Sequence, residues 1–567
     1  MTLVVARPVA HQRRTAGQRH ALVAISHMRL MMLMLLFGAA VTLIIGRLFL
    51  LALFADGDAG ANRLTASPRG DIVDRNGEPL ARTIDAWTIG VHPKKMLGDP
   101  MEVAQKLAEL MPERGDQWFF HRLLTSDVSF TYLQRRASPA LVEAVNAIGE
   151  PAIVFDRETQ RLYPQSTMAA HALGFLSTDG KGMSGMERVL DEQLTNPALN
   201  GKPVALSLDM RVQAAMESEL SRAMLSMQAR GAAGLVLDAD TGEIVSMVSL
   251  PVFNPNRVGM AGTEELRNNT VQSVYELGST FKVITAAIAL ETGVATVSRR
   301  FDATAPLQVG RFRIKDDHAQ NRWLNIPEML MHSSNIATAR IADEIGPQRM
   351  QAMFRRLGFD TKPDVELREK GRPIWPSFWA RTTTMTTAYG HGIAVTPLHL
   401  ANAYAAMING GVWRPTTLLK VEPGRAPQGR RVISEETSRR MRQMMRLIVQ
   451  EGTGKKAEAP GYRVGGKTGT AEVPQAGGYA KNANVSTFAA AFPMDAPRYV
   501  VIAMMDSPKR VEANQFQTTA AYTAAPVVSR VIARTGALLG VIPDDRRDVD
   551  QSDIMPLLWR APGEKAH

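Results

Sequence analysis

Glu276-Leu277-Gly278-Ser279-Thr280-Phe281-Lys282, continuing as Val283-Ile284-Thr285-Ala286-Ala287-Ile288-Ala289-Leu290, decides the fold of the larger part of the chain. Gly278 permits a tight turn, and the apolar run behind Lys282 predicts a buried helix closing at Gly293. Ser279 then stands at a helix N-terminus, where unpaired backbone N–H groups and the helix dipole favour developing negative charge. Ser279 and Lys282 are three residues apart and project from one helical face. A lysine among apolar neighbours loses solvation, its pKa falls, and it can take a proton from a hydroxyl. This is the physics of a serine nucleophile served by a lysine base. Taken alone, Ser-x-x-Lys more often marks a capped, solvated helix start.

Two later motifs change that balance. Ile326–Ser333 and Asn335–Ile345 are short helical patterns, the second closed by Gly346, with Ser333-Ser334-Asn335 wedged between them. On one continuous helix Ser333 and Asn335 would point about 200° apart, so shared work requires a break between them. Lys467-Thr468-Gly469-Thr470 reads as a strand whose alternation sends Lys467 and Thr468 to opposite faces. Gly469, lacking a side chain, is expected to let a ligand approach the backbone, and a lysine with two threonines suits a terminal carboxylate. Gly461 to Thr468 also matches the phosphate-loop pattern G-x-x-x-x-G-K-[ST]. That loop must follow a buried strand and open a helix, whereas Pro460 precedes it here and Gly469 and Pro474 follow. Nucleotide binding is rejected.

At 567 residues, 45% hydrophobic and 21% charged, the chain is long enough for two or three domains with full cores. It has no cysteine, which excludes disulfides, thiol catalysis and Cys-ligated zinc. The histidines are scattered without H-E-x-x-H or a carboxylate cluster at ligand spacing, so a metal site is not expected. Of the net charge of +11, six come from Arg7, Arg13, Arg14, Arg19, Arg29 and Arg47, with no acid before residue 56. The folded part shows no basic cluster, so a nucleic-acid partner is not expected.

Leu30 to Gly46 is seventeen uncharged, mostly apolar residues, and Leu48 to Ala55 extends the run past Arg47, which can snorkel. We expect a membrane anchor over 30–55. The arginines before it place residues 1–29 in the cytoplasm and the remainder outside. A cleaved signal peptide is the rival reading, but Gly57-Asp58-Ala59 is a poor cleavage site.

Residues 56–229 carry no obvious chemistry. Pro68 to Ala81 holds an Asn76-Gly77 hairpin signal, and Arg161-Leu162-Tyr163-Pro164 and Gly185-Met186-Glu187 are further punctuated segments. Their arginines and glutamates are expected to be structural ion pairs. Asp209 caps a helix running to about Gln228, with Val212, Met216, Leu220 and Met224 as its core stripe. From 230 to 542 the pattern is a hairpin (Gly234–Asp238, Ile244–Val248), helices, two more strands (Val485–Phe492, Tyr499–Met505) and a closing helix, Pro526–Leu539. The tail from 543, with Asp544-Asp545-Arg546-Arg547-Asp548, is expected to be disordered.

Ser279-x-x-Lys282, Ser333-x-Asn335 and Lys467-Thr468-Gly469, in this order and at these spacings, together resemble the three motifs of the penicillin-binding protein and serine β-lactamase superfamily. The segment from Arg69-Gly70 to Ala81, Arg161-Leu162-Tyr163-Pro164 and Gly185-x-Glu187 resemble the pedestal of class B members. No room for a glycosyltransferase domain precedes them, which argues against class A. Within class B, Gly477-Gly478-Tyr479 and Tyr389-Gly390-His391-Gly392-Ile393-Ala394-Val395-Thr396-Pro397 are most similar to the penicillin-binding protein 3 type, the septal transpeptidases. Leu277 stands where many members have proline, and Ser334 where β-lactamases often have aspartate.

The resemblance implies an α+β fold: one transmembrane helix, an irregular pedestal over 56–229, and a β-lactamase-like domain over 230–542 with an antiparallel sheet flanked by helices. It implies that Lys282 deprotonates Ser279, which attacks a stem-peptide carbonyl and releases D-alanine, with no cofactor needed. The oxyanion would be held by the N–H groups of Ser279 and Thr470. Ser333, near Lys467, would pass a proton to the leaving group, Asn335 would orient the donor, and Thr468 with Thr470, on the Gly469 strand, would grip its carboxylate. Implied partners are peptidoglycan stem peptides, β-lactams, a lipid-linked glycan polymerase of the SEDS type and other division proteins at the inner membrane. An elongation-type transpeptidase, a β-lactamase, and a membrane-anchored sensor or scaffold are the competing readings.

Overall fold

In a computed structural model, residues 16–54, 69–199, 201–475 and 478–560 are described, and the chain divides into two units between Ala66 and Ser67. The first contains one uninterrupted helix, α1 (Ala16–Phe54), whose apolar window His27–Arg47 has a mean hydropathy of 2.3. Twenty-one residues at about 1.5 Å each match the ~30 Å hydrocarbon core of a bilayer. Leu33, Leu35, Phe37 and Leu43 all stand exposed on it. The Gly57–Ala59 site lies outside the described residues.

The second unit begins with the expected hairpin. β1 (Ile72–Val73) and β2 (Pro79–Val91) pair across a turn where Gly77 has φ +92°, with Asp74 Oδ1 accepting from the N–H groups of Asn76 and Glu78. The long β2 also pairs with β3 (Thr131–Ala137) and β4 (Ile153–Leu162), while β1 pairs in parallel with β5 (Val204–Ala205). Helices Pro100–Leu110, Gln117–Leu124 and Pro139–Asn146 close a small core around Ile89, Phe120 and Leu133. Fully buried Glu187 accepts from Arg69 at 2.9 Å and Arg161 at 2.7 Å, and Arg161 donates to the Gly70 carbonyl at 2.9 Å. These punctuated segments thus meet as an ion-pair cluster, as expected from their composition.

Helix α2 (Met210–Ser226) is capped by Asp209, whose side chain accepts from the Arg211 N–H. It leads into a five-stranded antiparallel sheet formed by β6 (Gly231–Asp238), β7 (Ile244–Leu250), β8 (Gly465–Gln475), β9 (Gly478–Phe492) and β10 (Tyr499–Asp506), in the order β8-β9-β10-β6-β7. Both faces are covered, so the inner strands are apolar on both sides rather than alternating. Val236, Val501 and Ala503 pack with Val212, Met216 and Leu220 of α2 and with α8 (Ala524–Thr535). Leu235, Leu237 and Ile502 face the other core, built on α3 (Phe281–Glu291), α4 (Ile326–His332), α5 (Asn335–Arg356), α6 (Pro397–Ile408) and α7 (Glu435–Gln450). Gly346 breaks α5 with φ +77° and Pro347 resumes it, so the closure expected at Gly346 is a kink.

The tail differs from expectation. Residues 543–560 form an ordered strap rather than a disordered end. Ile554 is fully buried, Arg446 of α7 pairs with Asp548 at 2.8 Å, and the Trp559 N–H donates to Glu328 at 2.7 Å. Arg440 and Gln443 hold Asp553. The run of aspartates and arginines that reads locally as solvated finds its counter-charges about a hundred residues upstream, where no local pattern can show them.

Candidate active site

The turn that carries Ser279 is built by Gly278–Thr280, a single tight turn running into α3, with Gly278 at φ +54°. Tyr404, buried in α6, donates to the Thr280 carbonyl at 2.9 Å, and Thr280 Oγ1 donates to the Leu277 carbonyl at 2.9 Å. Strand β8 lies directly against this turn. A Cβ on Gly469 would sit 2.2 Å from the Leu277 carbonyl oxygen, and one on Gly278 would sit 2.6 Å from that of Thr470. Gly469 is therefore glycine because the turn fills the space a side chain would take. The contact brings the residue beside Ser279 onto Thr470.

The α4–α5 junction supplies the break that Ser333 and Asn335 require. Ser333 adopts the left-handed conformation (φ +59°, ψ +39°), which a non-glycine residue enters only when its surroundings hold it there. Ser334 caps α5, its Oγ accepting from the Ala337 N–H at 3.1 Å. The turn throws Ser333 and Asn335 to the same side, onto Lys282. Lys282 Nζ donates to Asn335 Oδ1 at 2.7 Å, to Ser333 Oγ at 3.1 Å and to the Ser333 carbonyl. From β8, Lys467 Nζ donates to the same Ser333 Oγ at 3.0 Å and to Thr468 Oγ1 at 3.1 Å. Strand alternation sets Lys467 and Thr468 on opposite faces, but β8 is an edge strand and the four-carbon stem returns the amine to Thr468.

Both lysines are fully buried. Both nitrogens are hydrogen-bonded to one oxygen and so lie within about 6 Å of each other. Two charges there would repel by about 3 kcal/mol at an effective dielectric near 20, which disfavours charging both lysines at once. Burial brings Lys282 down to about 7, against the opposing pull of Asp316 and Asp317. Burial and the charge of Lys282 push Lys467 well below the ordinary lysine range. Ser279 is half-buried, and no hydrogen bond joins its Oγ to Lys282, whose amine is turned to Ser333 and Asn335. Thr470 Oγ1 accepts from the Ala520 N–H at 3.1 Å, leaving its own hydroxyl proton free to donate.

Sequence reasoning missed several supports. Asp316 accepts from Ser334 Oγ at 2.7 Å and from the Ile336 N–H at 2.9 Å, and the Lys315 carbonyl accepts from Asn335 Nδ2 at 3.1 Å. Thr453 Oγ1 is 2.9 Å from Thr468 Oγ1. Glu276 accepts from the Gly392 N–H at 3.0 Å and from the Tyr479 hydroxyl at 3.2 Å. The Gly278–Gly392 region carried a signal, the quoted Tyr389–Pro397 stretch; Asp316 and Thr453 carried none. Gly477 lies outside the described residues. Among the described residues no three His, Asp or Glu side chains converge as metal ligands.

The penicillin-binding protein transpeptidase domain matches residues 232–533, and the penicillin-binding protein dimerisation domain matches residues 64–198. This chain belongs to the class B penicillin-binding proteins. The probable peptidoglycan D,D-transpeptidase FtsI of Caulobacter vibrioides is 41% identical over 490 residues, covering 83% of this chain and 82% of that protein. Peptidoglycan D,D-transpeptidase FtsI of Escherichia coli is 27% identical over 542 residues, covering 89% of each. Among solved structures, penicillin-binding protein 3 of Mycobacterium tuberculosis complexed with aztreonam superposes with a TM-score of 0.66 at 26% identity, covering 84% of this chain and 98% of that one. As a penicillin-binding protein, the chain combines an α+β transpeptidase domain, a pedestal and an apolar N-terminal helix suited to membrane anchoring.

Proposed function

We propose that this penicillin-binding protein is a peptidoglycan D,D-transpeptidase of the division septum, working through an acyl-enzyme on Ser279. One observation carries the reading: Ser333 Oγ bridges two buried lysines, Lys282 and Lys467, beside a nucleophile turn locked onto Gly469 and Thr470. A neutral Lys282 takes the Ser279 proton, and the serine oxygen attacks the penultimate D-alanine carbonyl. The N–H groups of Ser279 and Thr470 hold the oxyanion. Ser333, charged from Lys467, protonates the departing D-alanine. Asn335 orients the donor, and Thr468 and Thr470 bind its carboxylate. A second stem peptide then supplies the amine that forms the cross-link, and β-lactams enter as acylating mimics of the donor.

In this reading residues 56–229 form the pedestal and 230–542 the transpeptidase domain, with Arg7 to Arg29 cytoplasmic and the catalytic body outside the inner membrane. The pedestal and α1 are the docking surfaces for a SEDS-type glycan polymerase and other division proteins. Two experiments test this. The full-length protein in detergent, given a lipid-linked pentapeptide glycan and a polymerase, should release D-alanine and form cross-linked dimers; release without dimers would reduce it to a hydrolase. Depletion should give filaments, whereas rounded cells would assign it to elongation.

A further inference from the structure

The proton transfers assigned so far serve the first half-reaction. The second needs a base for the acceptor amine, which arrives as an ammonium at neutral pH and cannot attack until it loses a proton. The loop Tyr389–Gly392 supplies a candidate from an element not yet used. A Cβ on Gly390 would lie 2.3 Å from the Gly278 carbonyl oxygen and 2.7 Å from the Gly278 nitrogen, so the loop is seated on the nucleophile turn itself. The Gly392 N–H is fixed by Glu276, three residues before Ser279. Between these anchors the His391 ring packs 5.3 Å from Tyr389 and 6.2 Å from Tyr479, centroid to centroid. Nδ1 of this ring is buried without a hydrogen-bond partner among the described residues.

We propose that His391 is a catalytic residue of the second half-reaction, the general base that takes the proton from the acceptor amine. The proposal rests on the acyl-transfer reading above. His391 removes one proton from the acceptor ammonium. The freed lone pair forms the new C–N bond at the acyl carbon, and the carbonyl π pair moves onto oxygen. Collapse breaks the bond between that carbon and Ser279 Oγ. Lys282, holding the proton it took from Ser279, gives it to the leaving oxygen and regenerates the serine hydroxyl. The nitrogen's second proton returns through Ser333 to Lys467, which had supplied the departing D-alanine, and His391 returns its proton to water.

The surroundings suit the task. Burial keeps the ring neutral by lowering its pKa, against the opposing Tyr389 backbone. The charged and titratable groups around it come from every neighbouring element: Lys282 on α3, Asp317 before α4, Glu472 and Tyr479 on the β8–β9 hairpin, Glu276 before the nucleophile, and Tyr389 on the same loop. Of these, Lys282 disfavours the imidazolium, and Glu472 and Asp317 favour it.

The test uses the full-length protein in detergent, a thioester donor mimic and D-alanine as probe acceptor. Amide and hydrolysis products form from one acyl-enzyme, so their ratio isolates the second step from acylation. In His391→Phe the ratio should fall by about 10²-fold, the usual worth of a general base, and free imidazole should restore it in His391→Ala. The wild-type ratio should also bend downward at a pH below the ordinary histidine range, beyond the fall set by the acceptor's own protonation, and the bend should vanish in the variants. Labelling by a fluorescent penicillin certifies that each variant is folded. An unchanged ratio and pH profile in a labelled His391→Phe overturns the role of His391 alone. A wild type that forms no acyl-enzyme with the thioester overturns the reading beneath it as well.

Discussion

Burial takes Lys282 down to about 7, while Asp316 and Asp317 hold it from falling further. A general base must be neutral, so the rate of acylation by a fluorescent penicillin should fall about tenfold per pH unit below about 7 and level off above it. Removing the carboxylate in Asp316→Asn withdraws an anion that stabilises the ammonium, so the acid limb should move to lower pH. Lys282→Arg, permanently charged, should lose about 10² to 10⁴ in rate. A flat profile between pH 6 and 8 would remove Lys282 as the base. At the same scale, Gly469→Ala places a methyl 2.2 Å from the Leu277 carbonyl and 2.8 Å from Thr280 Cγ2, with backbone on one side and no flexible side chain to yield. The variant should stay folded by circular dichroism yet label far more slowly, and normal labelling would show that the turn and strand are not locked together. The chemistry of these residues was legible in their spacing, because a Ser-x-x-Lys turn and a polar break between helices are local facts. The reason for Gly469 was not, since only the folded chain shows that Leu277 fills the space.

Elements are held as much by distant pairs as by their own patterns. Glu187, fully buried, is shared by Arg69 and Arg161, which join the segment before β1, the end of β4 and the residues before β5. Glu187→Ala leaves the buried Arg161 guanidinium without a carboxylate and Arg69 with Asp191 alone, at 2.7 Å, and breaking a buried pair costs about 3–5 kcal/mol. The urea midpoint of the pedestal should drop accordingly, while Glu187→Gln, which keeps an acceptor, should lose less. An unchanged midpoint in Glu187→Ala would mean the cluster is ornamental. The hairpin at Asn76-Gly77, the α2 stripe and the strands on either side of Pro493 were readable because each follows from local period and turn chemistry. The strap over 543–560 was misread for the converse reason: Asp548 and Asp553 are surface charges by composition and ion-pair partners of Arg446 and Arg440 by topology.

At the scale of the whole molecule, an apolar helix long enough to span a bilayer precedes a body whose two cores clasp one antiparallel sheet. Three motifs separated by about fifty and about one hundred and thirty residues converge on Ser333 Oγ and the turn at Ser279. Their order along the chain was visible in the sequence, but the supports from Asp316, Thr453 and Tyr404 were not, because single polar residues far apart carry no period. The central claim is that this convergence makes Ser279 an acylating nucleophile. The most direct measurement is mass spectrometry of the full-length protein after reaction with a penicillin, wild type beside Ser279→Ala. The account predicts one penicilloyl adduct, mapped to the peptide containing Ser279 and absent from the variant. A folded wild type that takes up no adduct, or an adduct that persists in Ser279→Ala, would contradict it.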